Sequence, residues 1–331
     1  MDRLIILVFI SLIFIAGCQF ITGEVIYDSD KLTIQQDNIT IKTYFCPRDD
    51  CQKHLLDLVK ESYDIKCAFY DLDLPDLIKA LDDKSNSIPV KLVVDNGNKK
   101  GLENLTFAKF DNNNQLMHNK FCIFIINGKK VLTTGSHNPT LRDTYKNNNN
   151  LLVIESNYLV ENYEQEFSEL WGGSFGKGLN ALYPRLNSSD IIIENYFCPD
   201  DGCENAVART LSQAKFRIYF MTYSFTSDEI GSILINKTDK NIDVKGVMEK
   251  IQVSNYSEYH RLRENGVDVI LDHNKYNMHH KVFIVDDILI TGSYNPTSSG
   301  NNRNDENLLI IHDPVITDLF LEEFYRVRRG F

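Results

Sequence analysis

The chain has 331 residues, 43% of them apolar and 24% charged, with a formal net charge of -11. This composition excludes a disordered or fibrous protein and gives enough length for two domains of about 150 residues each. It also excludes binding through a chain-wide basic footprint, so a nucleic-acid partner is not favoured and would need a local patch.

In chain order, the first element is an apolar run from Leu4 to Ala16, behind a head whose positive charge is Arg3 and the terminal amine. The run is shorter than the roughly 20 residues of a membrane-spanning helix and fits a signal-peptide core. Ile15-Ala16-Gly17-Cys18 looks like a lipoprotein signal, with Cys18 carrying the lipid after cleavage; an uncleaved anchor is the alternative. Residues 1–23 are therefore expected to export the protein and hold it at the outer face of the cell membrane.

A first unit, 24–171, opens with a predicted strand over 39–45 that ends in Tyr44-Phe45-Cys46-Pro47, followed by Cys51 and a helix. Strands follow at 65–70 and 90–94, then Met117-His118-Asn119-Lys120, short apolar runs, Gly135-Ser136-His137-Asn138-Pro139-Thr140, and an amphipathic helix over 159–171. Gly172 to Gly178 is rich in glycine and reads as a hinge within a linker, 172–190. A second unit, 191–331, then repeats the series. It contains Tyr196-Phe197-Cys198-Pro199 with Cys203, strands at 217–225 and 244–248, and Met278-His279-His280-Lys281. Gly292-Ser293-Tyr294-Asn295-Pro296-Thr297 and a helix over 315–328 complete it. Asn150-Leu151-Leu152 answers Asn307-Leu308-Leu309, and Glu166-Phe167 answers Glu323-Phe324. The chain is thus an internal duplication of an α/β sandwich unit, with two tandem copies packed around one shared site.

Four of the seven cysteines form the duplicated Cys-Pro-x-x-x-Cys pairs. In an exported protein they are expected to close local disulfides, Cys46 to Cys51 and Cys198 to Cys203, with a four-cysteine zinc site as the alternative. Cys67 and Cys122 lie in apolar strands and read as packing residues.

A single His-x-Lys is usually a surface pair, and Gly-Ser-x-Asn-Pro-Thr by itself is usually a turn. Repeated together in two copies, they resemble the phospholipase D superfamily, over nearly everything after about residue 40. The second copy matches the motif fully, with His279, Lys281, Asp286, Gly292, Ser293, Asn295 and Glu306. The first keeps His118, Lys120, Gly135, Ser136 and Asn138, but has Ile125 at the motif aspartate and Asn149 opposite Glu306.

The resemblance implies a phosphodiesterase acting through a phospho-histidine, which divides one difficult displacement into two easier ones. One histidine attacks while neutral; the other protonates the leaving alcohol and then activates water or an incoming alcohol. Lys120, Lys281, Asn138 and Asn295 are expected to hold the non-bridging oxygens, so that no metal or other cofactor is called for. Asp286 is expected to tie down a turn, so Ile125 need not abolish activity. In this family an acidic residue downstream orients the histidine. Within each copy, Glu306 would then stabilise a protonated His279, and Asn149 would orient His118 without favouring its charge. On that pairing His118 is the nucleophile and His279 the general acid. The longer spacing from His118 to Asn149 is absorbed by a hairpin around Asn127-Gly128. The loops after the two Gly-Ser-x-Asn turns, Lys146 to Asn149 and Ser298 to Asn304, are expected to rim the cleft.

The expected substrate is a phospholipid headgroup, hydrolysed or transferred. The alternatives are an exported nuclease of the same superfamily and a degraded module that only binds phosphate-bearing ligands. Because both copies lie in one chain, a monomer is sufficient.

Overall fold

The computed structural model describes residues 34–330; the leader reading at Leu4 to Cys18 lies outside them. The first half runs β1 (Gln35–Gln36), β2 (Thr40–Cys46), α1 (Cys51–Glu61), β3 (Asp64–Phe69), α2 (Pro75–Ser85), β4 (Val90–Val94), β5 (Ala108–Phe110), β6 (Lys120–Ile126), β7 (Lys129–Gly135), α3 (Leu141–Tyr145), β8 (Asn149–Glu155) and α4 (Asn157–Gly172). The second runs β9 (Arg185–Ser188), β10 (Ile191–Cys198), α5 (Cys203–Ser212), β11 (Arg217–Thr222), α6 (Asp228–Asp239), β12 (Asp243–Met248), α7 (Glu258–Glu264), β13 (Asp268–Leu271), β14 (Lys281–Val285), β15 (Ile288–Gly292), α8 (Ser298–Asn302), β16 (Glu306–His312) and α9 (Pro314–Arg328).

The duplication holds down to register. One sheet has the order β2-β8-β7-β6-β3-β4-β5, and the other repeats it as β10-β16-β15-β14-β11-β12-β13, with β9 and β1 added beyond β10. Cys46 pairs with Asn149 as Cys198 pairs with Glu306, and Phe69 faces Lys120 as Thr222 faces Lys281. The strand before the first unit's opening strand, β1, lies parallel to β9 of the linker, so both ends of the first half reach into the second sheet.

The strands that deliver the motif residues are buried on both faces. Phe121 and Ile123 of β6 enter the core between the two sheets, while Cys122 and Phe124 pack beneath α1 and α2. Val282 and Ile284 of β14 face the shared core, and Phe283 and Val285 face away from it. This is why both segments read as unbroken apolar runs rather than alternating ones. The shared core is completed by α4 and α9, which contribute Tyr163, Phe167, Phe320 and Phe324. Each of these helices is capped at its start, Ser156 accepting from Leu159 N and Asp313 from Val315 N and Ile316 N.

Two local features explain the differences between the halves. The hairpin from β6 to β7 has seven-residue strands joined at Asn127 and Gly128, both at positive φ, whereas the β14 and β15 strands have five residues each. At the turn of the shorter hairpin Asp286 accepts from Lys215 N, Phe216 N and Arg217 N at 2.8, 2.9 and 2.9 Å, a structural role that the longer first hairpin does without. The glycine of each Gly-Ser-x-Asn has positive φ (143° at Gly135, 152° at Gly292), and a Cβ there would meet the Asn150 or Asn307 carbonyl oxygen at 2.4 or 2.3 Å. Only glycine lets β7 and β15 close against the next strand before the chain turns into the site.

Disulfides join Cys46 to Cys51 and Cys198 to Cys203. A third joins Cys67 to Cys122, which corrects their reading as free packing residues. The two are direct partners across β3 and β6, so their side chains rise side by side on one face.

Candidate active site

The motif segments are held by backbone bonds that cross between the halves. His118 N donates to Asp305 O at 2.9 Å and Asp305 N to Leu116 O at 3.0 Å; His279 N donates to Asn148 O and Asn148 N to Asn277 O, both at 2.9 Å. The carboxylates of Asp95 and Glu249, at the ends of β4 and β12, accept from Met117 N (3.1 Å) and Met278 N (2.6 Å). The middle residue of each His-x-Lys is gripped by a core helix. Asn119 donates to Glu166 on α4 at 2.9 Å, and the His280 ring lies 3.3 Å from Glu323 on α9. The repeated Glu-Phe pairs are therefore braces for the motif.

The side-chain pairing is crossed as well, and this corrects the expectation from sequence. Glu306 Oε2 lies 2.8 Å from Nδ1 of His118, not His279, and accepts the Ser293 hydroxyl at 2.7 Å. Asn149 Oδ1 lies 2.9 Å from Nδ1 of His279, and the Ser136 hydroxyl donates to it at 3.2 Å. Each histidine is oriented by the residue that opens the last strand of the opposite sheet. The ground for separating nucleophile from acid by Asn149 at His118 thereby falls away, all the more because Asp143 Oδ2 lies 3.3 Å from His279 Nδ1. In both rings Nδ1 is engaged, which leaves Nε2 as the nitrogen for substrate.

Lys120 and Lys281 donate to the carbonyl oxygens of His118 (2.6 Å) and His279 (2.8 Å), which fixes each ammonium beside its imidazole. Two tyrosines not singled out in the sequence complete the arrangement. The Tyr70 ring centroid is 4.8 Å from that of His118 and 5.1 Å from Lys120 Nζ; Tyr223 stands 4.6 Å from His279 and 5.1 Å from Lys281. Both follow strands that align in the duplication, a signal available in the sequence. Asn138 donates through Nδ2 to Asp143 at 2.7 Å, and Asn295 accepts from Ser224 N at 3.4 Å, next to Tyr223. Asn147 and Asn148 do not rim a cleft: both are buried and bind Asn277 and Asn274 of the other half.

Burial sets the charge states. It pushes both histidines down, His118 well below its ordinary value and His279 to about 4, with the lysines adding to the effect and Asp143 opposing it. It pushes Lys120 down to about 8 against the pull of Glu306 and Asp143. Glu306, fully buried, is pushed up to about 8 by that burial against the pull of Lys120, Ser293 and Lys281. Asp143 behaves differently. Burial works to raise it, but His279, His137 and Asn147 outweigh that and hold the carboxyl well below its usual range.

Among known proteins, the model of the "Cardiolipin synthase, PLD-like domain" family matches residues 31–171 and 207–328, one segment for each half. The chain belongs to the phospholipase D superfamily. A protein named phospholipase D from Rickettsia felis is 28% identical over 156 residues, which make up 45% of this chain and 78% of that one. The mitochondrial cardiolipin hydrolase of Mus musculus is 34% identical over 125 residues, covering 37% of this chain and 57% of its own length. The phosphatidylserine synthase of Haemophilus influenzae shares the fold, with a TM-score of 0.59 over 87% of this chain and 86% of that one at 11% identity. The relatives' names support a phosphodiesterase-type enzyme in general.

Proposed function

We propose that this member of the superfamily hydrolyses or transfers phospholipid headgroups through a phospho-histidine. The observation that carries the reading is the crossed constellation, in which two His-x-Lys pairs from opposite halves share one buried site with each imidazole fixed through Nδ1. Nε2 of one histidine attacks phosphorus, and the bond to the leaving alcohol breaks as the other histidine protonates its oxygen. That second histidine then takes a proton from water or an acceptor alcohol, whose oxygen attacks phosphorus and releases the first histidine. Lys120 and Lys281 offset the charge on the non-bridging oxygens.

A lipid substrate is supported by the phospholipase D and cardiolipin hydrolase names of the relatives. Export is supported by three disulfides, which persist in oxidising compartments. An anchor at Leu4 to Cys18 would place the site beside membrane phospholipid. The test is turnover by residues 24–331 in EDTA, on mixed phospholipid vesicles and on single-stranded DNA. Headgroup release or exchange is expected on the vesicles. DNA cleavage with intact lipid would replace this reading with the nuclease, and no turnover of either substrate would favour the binding module.

The pH profile offers a second check. A lysine pushed down to about 8 loses its proton as pH rises through that value. Above about pH 8, kcat/KM is therefore expected to fall, approaching tenfold per pH unit. A profile level to about pH 9.5 would remove the Lys120 ammonium from the mechanism.

A further inference from the structure

The first half has Asn149 where the second has the acid Glu306, and Asn149 carries no charge. When the halves are laid together through Gly135 and Gly292, the exchange proves reciprocal: Asp143 falls opposite Gly300. Gly300 has no room for a side chain, because a Cβ there would lie 2.4 Å from the Asn295 carbonyl oxygen. In the first half the corresponding position opens into the site.

Asp143 sits in α3, its amide donating to the Thr140 hydroxyl at 3.1 Å. Its carboxylate accepts from Asn138 N (3.1 Å), Asn138 Nδ2 (2.7 Å) and Asn147 Nδ2 (2.5 Å), and Oδ2 lies 3.3 Å from His279 Nδ1. It is only 5% exposed, so this charge is spent on neighbours inside the site. We infer that Asp143 is the positioning acid of His279, sharing with Asn149 the task that Glu306 performs alone for His118. The Asn149 carbonyl fixes the ring through Nδ1, and Asp143 supplies the negative charge that steadies His279 when it becomes cationic by taking a proton or a phosphoryl group. The acid of this half has moved six positions upstream in the chain, onto a different element. The inference rests on the phosphodiesterase reading above.

The test compares Asp143→Asn, Asp143→Gly and the double variant Asp143→Gly/Asn149→Glu, which transplants the second half's arrangement into the first. Asp143→Asn is expected to lower kcat by about 30-fold with little change in KM. It is also expected to move the His279 ring titration, followed by NMR, to lower pH and to move that of His118 less, because Asp143 favours the charged form of both rings but its carboxylate lies against the His279 ring. Asp143→Gly should be as impaired as Asp143→Asn, and adding Asn149→Glu should restore kcat to within about fivefold of the parent. A purely structural role in α3 predicts no such rescue. Unchanged kcat and His279 titration in Asp143→Asn, or a folded double variant no better than Asp143→Gly, would overturn the inference. Failure of the phosphodiesterase reading looks different: the parent turns over no phosphodiester, while the His279 titration still answers to Asp143→Asn.

Discussion

Alanine in place of His118 or His279 is expected to lower turnover by about 10⁴-fold or more, with the double replacement no worse than the poorer single one. On the proposed mechanism the two imidazoles act on one phosphorus, so losing either stops the cycle, and independent sites in the two halves would instead leave about half the activity. Both rings are nearly buried, 7% and 8% exposed, and removing His118 leaves the Glu306 carboxyl without its ring partner. Loss of fold is separated from loss of chemistry by adding His118→Asn and His279→Asn, whose amides keep a polar group near Nδ1, and by comparing thermal midpoints. Near-native midpoints with abolished turnover are the expected pattern.

Glu306→Gln is expected to cost about 10³-fold in kcat, because it keeps the volume while removing the carboxyl that can ionise against a cationic His118 ring and that fixes its tautomer. The crossed pairing gives this variant a second reading. By NMR it should disturb the titration of His118 and leave His279 nearly unmoved, although Glu306 and His279 belong to the same repeat. Disturbance of His279 instead would restore pairing within each copy and contradict the geometry described here.

Much of the fold was legible because the two copies comment on each other. Repetition turned His118, Lys120, His279 and Lys281 from ordinary surface pairs into a constellation, and it located the strands by their matching apolar runs. The crossing was not legible. Sequence spacing ties Glu306 to His279 and Asn149 to His118, but β8 and β16 begin at the seam between the halves, where each reaches the other half's histidine. Asp143 was not legible for a related reason: Asn149 holds the aligned position, whereas the charge lies on a neighbouring element, opposite Gly300. Cys67 and Cys122 are far apart in sequence, and only the register of β3 against β6 brings them together. The place of Asp286 at a turn was legible, but not its partners, the amides of Lys215, Phe216 and Arg217, which lie 69 to 71 positions away in the chain.

The most direct test of the shared covalent site is to trap the phosphoryl group. Vesicles carrying phosphorus-labelled lipid would be mixed with excess protein in EDTA, the reaction stopped in denaturant at alkaline pH during a single turnover, and the peptides mapped. Label on a peptide containing His118 or His279, acid-labile and absent from the corresponding alanine variant, is the predicted result. Turnover without protein-bound label, persisting in both alanine variants, would contradict a histidine intermediate and with it the central claim.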